Sequence, residues 1–220
     1  MYKIFASKSL IALTALSVAL FSANTFAGKG KGKPGTGNTP ADLDGRNIVE
    51  VALGANALLG EFDYLLGAVG CFTDEETGEN PIVDLLTGED KLTLFAPVDQ
   101  AFIDLQLALN DIWDLGLEAT DPSITCAVDS LYGDGTLFTI LAYHVSDGRR
   151  FSNSVFNRNN VKEIEMLAGG SIMTTPQLTI VDGFYQTVNP VPSLININAT
   201  NGVVHVIDTV MLPFSPIPAE

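Results

Sequence analysis

The stretch Ala199–Pro213 constrains the fold of this chain most strongly, because it combines a turn signal with a long apolar run. Asn201-Gly202 is typical of a tight two-residue turn, since both residue types tolerate positive φ angles. The residues after it are apolar on both faces of an extended chain, namely Val203, Val204, Val206, Ile207, Val210, Met211 and Leu212. This pattern predicts a strand that is covered on both sides and ends at Pro213. In the preceding segment, 194–199, isoleucines alternate with asparagines, which predicts a half-exposed partner strand and therefore a central β-hairpin.

Three motifs of the chain resemble those of the fasciclin domain family. The stretch Ala199–Pro213 resembles the family's C-terminal signature, and Thr93–Phe102 and Leu141–Val145 resemble two further motifs in the same order and spacing. The resemblance covers about residues 47–213. It implies an α+β fold, a wedge-shaped β-sandwich of about seven strands with helices packed along one edge. It also marks three structural signature residues, Asn201, Gly202 and His205.

The first 40 residues have the pattern of an export signal and a linker. Lys3 and Lys8 precede the apolar run 10–21 and a small residue, Ala27, so residues 1–27 are predicted to be a secretory signal peptide. The apolar run is too short for a bilayer span, which needs about 20 residues. Residues 28–40 are rich in Gly and Lys and predict a flexible tether. We therefore expect an exported chain without a membrane span, in the periplasm, at the cell surface or in the medium.

Residues 41–220 are expected to form a single, strongly acidic domain. Six basic residues remain there against all 26 acidic residues of the chain, a formal charge of −20. Because nucleic-acid binding depends on neutralising phosphates with Lys and Arg, we expect no nucleic-acid partner.

Helical and strand patterns follow each other along the domain. Apolar residues three or four apart predict a helical stripe over 47–69, loosened or divided by its glycines. After a strand at Leu92–Ala96, Asp99 is predicted to cap a helix through its carboxylate, and another helix is predicted over 137–145. Four short strands are then predicted at Glu165–Leu167, Ser171–Thr174, Gln177–Val181 and Tyr185–Val188. Strands that follow a helical half favour α+β architecture.

Two polar segments, 71–90 and 115–134, are longer than the family pattern and are predicted to be inserted surface loops. They carry the two cysteines of the chain, Cys71 and Cys126. In an exported protein an even, minimal count favours a disulfide, and two unpaired thiols are the alternative. On the chain-entropy model, closing a loop of this length stabilises the fold by roughly 4 kcal/mol.

Tyr143-His144 is the candidate binding site. In animal fasciclin-domain proteins a Tyr-His motif is linked to receptor binding at the cell surface, so the resemblance implies a contact role for both residues. The alternative is packing, because His144 falls on the apolar stripe of a predicted helix and Tyr143 can pack with its hydroxyl at the rim. A second receptor-associated site of animal relatives has an Asp at the position of Asn196, followed by an Ile that matches Ile197. The absence of the acidic residue argues against integrin-type recognition.

No catalytic motif is present in the sequence. It lacks a Gly-x-Ser-x-Gly elbow, a Walker loop and a dinucleotide fingerprint. The two imidazoles, of His144 and His205, lie in apolar runs. Residues 42–45 lack the spacing of a calcium loop, so no metal or other cofactor is expected. Asn198 begins a glycosylation sequon that coincides with the hairpin signature.

Two functions remain after these exclusions. The resemblance mainly implies a non-enzymatic module for adhesion or for the extracellular matrix or a biofilm, whose partner is a cell-surface or matrix protein or a polysaccharide. The alternative is a carrier of an apolar small molecule such as a carotenoid or lipid, because some fasciclin-domain proteins hold carotenoids. The inserted segments around Phe72 and Trp113 are the expected lining of such a site.

Overall fold

Two strands at the centre of the fold are buried along their whole length. The computed structural model describes residues 43, 45–113 and 122–214, so the predicted signal peptide and tether lie outside the described residues. β1 (Leu92–Pro97) and β8 (Gly202–Ile207) pair in parallel and are apolar on both faces. β2 (Val145–Asp147) flanks β1 and β7 (Ile197–Ala199) flanks β8, both antiparallel. The order of this first sheet is therefore β2-β1-β8-β7.

A second sheet covers one face of the first. Its four antiparallel strands, in chain order, are β3 (Lys162–Glu165), β4 (Ser171–Thr174), β5 (Ile180–Val181) and β6 (Thr187–Val188). One side chain of each strand points into a core that also contains Phe95 of β1 and Ile207 of β8; these four residues are Ile164, Ile172, Ile180 and Val188. The alternate positions point away from this core, which leaves one face of the second sheet towards solvent.

Helices cover the other face of the first sheet. The α-helices of the described residues are α1 (Ile48–Leu59), α2 (Asp63–Gly70), α3 (Pro81–Thr87), α4 (Asp99–Trp113), α5 (Val128–Tyr132), α6 (Thr136–Ala142) and α7 (Ser152–Val155). In a second core cluster, helices α1, α2, α3, α4 and α6 pack against the side chains of Leu94, Ala96, Val204 and Val206. Short 3₁₀ helices lie at Pro122–Ala127 and Pro192–Leu194. The predicted α+β sandwich with helices is thereby confirmed, with eight strands in the described residues where about seven were expected.

The predicted helical stripe over 47–69 is two helices. α1 starts with a capping box, in which the Asn47 side chain accepts from the N–H of Glu50 and the Glu50 carboxylate accepts from the N–H of Asn47. α1 ends at Gly60, whose left-handed conformation (φ 65°) breaks the helix. The division by a glycine was correctly predicted.

The turn of the central hairpin differs from the prediction. Thr200 and Asn201 form the turn and Gly202 is the first residue of β8, and neither Asn201 nor Gly202 has a positive φ. Gly202 is required by close packing instead, because a Cβ atom there would collide with the carbonyl oxygen of Leu92 and lie 2.5 Å from Cδ1 of Ile48.

The helix predicted over 137–145 is shorter than expected. α6 ends at Ala142, a turn follows, and Val145 begins β2, where it lies opposite Leu94 of β1. The sequence spacing at Val145 fits a helix, but pairing with the free edge of β1 satisfies its backbone in the sheet. The strand predicted at 165–167 is also shifted, since β3 ends at Glu165.

The two segments predicted as surface loops contain helices. Residues 73–79 are exposed as predicted, whereas Pro81–Thr87 is a helix that buries Ile82 and Leu86. The side-chain oxygen of Asn80 caps this helix by accepting from the backbone N–H groups of Ile82 and Val83 at 3.0 and 3.1 Å. In the segment 115–134, residues 122–132 form the 3₁₀ helix and α5, and 115–121 lie outside the described residues.

Asp99 caps a different helix from the one predicted. It is the first residue of α4, but its Oδ1 accepts from the backbone N–H of Tyr64 at 2.9 Å, in the first turn of α2. The carboxylate thus joins the starts of two helices.

Candidate functional site

The turn between α6 and β2 buries both residues of the Tyr-His motif. Tyr143 and His144 are each 1% exposed. The Tyr143 hydroxyl donates to the carbonyl oxygen of Ser171 at 2.8 Å, across the interface of the two sheets. His144 Nε2 accepts from the backbone N–H of Met211 at 2.9 Å, and its Nδ1 lies 2.7 Å from the carbonyl oxygen of Ile140. Because Nε2 accepts and Nδ1 faces an acceptor, the ring is a neutral imidazole protonated at Nδ1.

Burial favours the uncharged form of both groups of this motif. Desolvation lowers the pKa of His144 to about 4, against the opposing effect of its hydrogen bond to Ile140. Desolvation also raises the pKa of the Tyr143 hydroxyl, and the nearby charge of Asp182 acts in the same direction. Both residues are buried and hydrogen-bonded inside the fold, as the packing alternative expected. A contact role stays a prediction, and this conformation offers it almost no exposed surface.

His205 is held between two backbone groups and an aromatic ring. Its Nε2 lies 2.8 Å from the carbonyl oxygen of Arg150, and its Nδ1 accepts from the backbone N–H of Asn196 at 3.4 Å. The ring stacks on Phe95 with 5.6 Å between ring centroids. Desolvation lowers the pKa of this imidazole as well. These contacts give His205 a structural role.

Asn201 joins the central hairpin to two helices. Its Oδ1 accepts from the backbone N–H of Ile48 at 2.9 Å, at the start of α1. Its Nδ2 donates to the carbonyl oxygens of Leu86 (2.7 Å) and Gly88 (3.3 Å), at the end of α3. One buried amide therefore satisfies backbone groups that neither helix satisfies for itself.

A disulfide joins Cys71 to Cys126. Cys71 is the C-cap residue of α2 and Cys126 lies in the 3₁₀ helix, with 5.5 Å between their Cα atoms. The pairing favoured by the cysteine count is therefore present. Beside it, Gly67 of α2 packs closely against Pro122, since a Cβ atom at Gly67 would lie 3.1 Å from the Pro122 carbonyl oxygen.

A small apolar cavity lies between α1, α2, α3 and the first sheet. Its volume is about 40 Å³, and its walls include Val49, Ala52, Leu66, Leu85, Leu86 and His144. This volume holds a few waters at most. Phe72, an expected lining residue, instead contacts Phe138 edge-on, with 5.9 Å between ring centroids, and the side chain of Trp113 lies outside the described residues.

Sequence reasoning missed a concentration of positive charge. The side chains of Lys91 and Arg149 and the backbone of Arg46 contact the turn at Thr200, and Arg150 follows Arg149 at the same end of the first sheet. We call these four residues the cationic end. No local sequence pattern indicates the cationic end, because its four residues are spread over more than one hundred positions of the chain. Only the strand register reveals it, since Leu92 lies opposite both Asp147 and Gly202.

The described part of the chain contains no group of three His, Cys, Asp or Glu side chains that could hold a metal ion. Within those same residues, none of the helices has the length and apolarity needed to cross a bilayer.

A two-sheet α+β sandwich with a buried Asn-Gly-x-x-His signature, which begins in the turn before its last strand, defines the class of protein. The family model for the Fasciclin domain matches residues 78–213, more than half of the chain, and the protein belongs to this family. The match begins within the segment before α3, so α1 and α2 lie outside it. Among solved structures, a FAS1 domain pair from the insect cell adhesion molecule fasciclin I is similar, at 16% identity and a TM-score of 0.39. The similarity covers 68% of this chain and 45% of that one, so this chain spans less than half of that structure. A search of curated proteins found no match.

Proposed function

We propose that this protein is an exported, non-enzymatic adhesion module that binds a partner on a cell surface, in a matrix or in a biofilm. Membership of the fasciclin family supports the proposal, because the family is associated with adhesion. The predicted signal peptide and the acidic domain fit a protein that acts outside the cytoplasm.

The observation that carries this proposal is the internal use of the reactive side chains. In the described residues, His144 and His205 are buried with both ring nitrogens engaged by backbone groups, and Cys71 and Cys126 are joined. A neutral, buried imidazole and a closed disulfide are poor starting points for acid–base or nucleophilic catalysis. These four side chains are therefore engaged inside the fold, and the family match supports binding at the surface as the function.

A deletion strain tests the adhesion proposal. We expect deletion of the gene to reduce attachment to surfaces or biofilm cohesion, and the full-length gene to restore it. A gene lacking codons for residues 1–27 is the matched control, and we expect it to give protein that stays in the cytoplasm and does not restore attachment. Deletion strains that attach as well as the parent under all conditions tested contradict the proposal.

The second candidate is a carrier of an apolar small molecule, and the apolar cavity is the place where such a ligand would bind. Its volume of about 40 Å³ is too small for a carotenoid, so binding requires the elements that line it to move apart. Protein purified from its native host without detergent is expected to show a stoichiometric ligand in its absorption spectrum or native mass if it is a carrier.

Two variants test whether that ligand binds in the cavity. Ala52→Phe fills the cavity, whereas Ala57→Phe adds the same group at an exposed position of α1. Loss of the ligand in the first variant alone supports the carrier function. Native protein that carries no ligand contradicts it and leaves adhesion as the proposed function.

A further inference from the structure

The cationic end is an unusual feature of a domain with a formal charge of −20. It holds four of the six basic residues that follow the predicted tether, and the other two are Arg158 and Lys162. Lys91 immediately precedes β1, Arg149 and Arg150 follow β2, and Arg46 precedes α1. Lys91, Arg149 and Arg150, half of the basic residues of the domain, therefore lie at one end of the first sheet.

Two of these cations converge on a single neutral oxygen. Lys91 Nζ lies 3.2 Å from the carbonyl oxygen of Thr200, and Arg149 Nη2 lies 2.8 Å from the same atom. From these two distances, the cationic nitrogens are at most 6.0 Å apart. Like charges this close repel each other. An anionic group placed beside Thr200 would contact both and remove this repulsion.

The hydrogen bonds of these two side chains leave their charge uncompensated. Within the described residues, Arg149 donates to the carbonyl oxygens of Ala199 and Thr200 and to the side-chain oxygen of Asn198, all of them neutral. Lys91 and Arg149 are exposed. Three carboxylates are close in sequence or register, those of Glu89, Asp90 and Asp147. These carboxylates weaken the positive potential at the cationic end, so the affinity for an anion depends on the salt concentration.

We propose that the cationic end binds a sulfated or carboxylated polysaccharide, an inference that rests on the proposed adhesive function and names its partner. Charge complementarity selects a polyanion for this end. A second copy of the chain is disfavoured relative to an extended polyanion, because it brings a whole domain of −20 against this one, whereas a polysaccharide needs to place only one anionic group at the site. At physiological salt, exposed charges more than about 8 Å apart are largely screened. An anionic group between Lys91 and Arg149 then experiences these two cations rather than the whole acidic surface.

This arrangement predicts an unusual dependence of affinity on salt. At about 0.01 M salt the screening length is about 30 Å, so the charge of the whole domain repels a polyanion. At about 1 M salt it is about 3 Å, and the local attraction is screened too. We expect the highest affinity at an intermediate concentration, of order 0.1 M. Ordinary polyanion binding weakens steadily as salt rises.

Titration of the isotope-labelled full chain with a heparin-derived hexasaccharide, followed by NMR, tests the inference, and an alginate oligosaccharide provides a carboxylated probe. We expect shifts centred on Lys91, Arg149 and Thr200. Lys91→Glu should weaken binding roughly tenfold, since it replaces an attraction by a repulsion. Arg158→Glu is the matched control, because it changes the net charge equally in the exposed loop 157–160 and should not alter affinity beyond twofold.

Three outcomes would overturn the inference. The first is an equal effect of the two variants on affinity, and the second is absence of binding to both probes at every salt concentration. The third is loss of self-association in Lys91→Glu, measured by light scattering, which would identify a second copy of the chain as the occupant. Complementing the deletion strain with Lys91→Glu separates the two proposals. Normal attachment of that strain, with no polysaccharide binding by the wild type, leaves adhesion standing and removes the polysaccharide.

Discussion

The two sheets of this protein use their side chains in different ways. In the first sheet β1 and β8 are fully buried, and its polar side chains are satisfied internally, as when Thr93 donates to Gly148 and Ser146 to Glu165. The second sheet is buried on one face only, and its outer face and turns expose Met173 (43%) and Tyr185 (82%). The signature residues of the family lie in or beside the first sheet. The strongest sequence signature of this chain therefore coincides with its most buried sheet, and the exposed side chains of the second sheet carry no such signature.

The largest expected effect is in the first sheet, at Gly202. In Gly202→Val the new side chain collides with the backbone of Leu92 and with Ile48, so β1 and β8 cannot keep their register. We expect a loss of about 4 kcal/mol or more of unfolding free energy, measured by urea denaturation. Gly70→Ala is the control, because a Cβ there meets no atom within 4 Å beyond its own helix backbone and chain neighbours, and its stability should be unchanged or slightly raised. A Gly202→Val protein as stable as this control would show that the central strands are not closely packed.

The next effect is the pH dependence that comes from His144. Its folded pKa of about 4 lies below the ordinary value of 6.5, so the unfolded chain takes up the proton first as the pH falls. Its contribution is complete above pH 6.5 and is lost between pH 6.5 and about 4, a total of about 3 kcal/mol.

Urea unfolding of the wild type and of His144→Gln across this range isolates that contribution. We expect the variant to be less stable at pH 7 and to lose about 3 kcal/mol less on acidification. His205 remains in both proteins, so its titration cancels in the comparison. Parallel pH profiles would contradict a buried, neutral His144.

The smallest effect is expected at the exposed turn of the second sheet. Tyr185 has a φ of 64°, a left-handed conformation that is strained for a residue with a Cβ atom. The turn is held by the buried carboxylate of Asp182, which accepts from the backbone N–H groups of Phe184 and Gln186. We expect Tyr185→Gly to be more stable than Tyr185→Ala by roughly 0.5–1 kcal/mol, because only glycine relieves the strain. Equal thermal unfolding of the two variants would place no strain at this turn.

Sequence reasoning was most successful where local pattern and tertiary contact agree. The apolar run after Gly202 predicted β8, and the spacing over 47–69 predicted α1 and α2. It was wrong at Val145, where helical spacing competed with an unpaired edge of β1 and the sheet prevailed. Periodicity reports on one segment at a time, and the pairing partner of Val145 lies about fifty positions earlier.

The roles of single polar residues were harder to predict than the elements that carry them. Asn201 was expected to supply a turn conformation. Its amide instead bonds to Ile48 of α1 and to Leu86 of α3, which are 153 and 115 positions away in the chain. Asp99 was expected to cap its own helix and contacts α2 instead. A short polar side chain fits several local motifs equally well, so only the tertiary arrangement decides which backbone groups it satisfies.

The parallel pairing of β1 with β8 also determines when the protein can fold. Leu92 and Gly202, which are opposite each other, are 110 positions apart in the chain. Contacts this distant require closure of a long loop before any stabilisation is gained, which makes folding slow. During synthesis β1 cannot pair with β8 until nearly all of the domain has been made. A chain that stops before Gly202 is therefore expected to show no cooperative unfolding transition, since it lacks the strand around which every other layer is assembled.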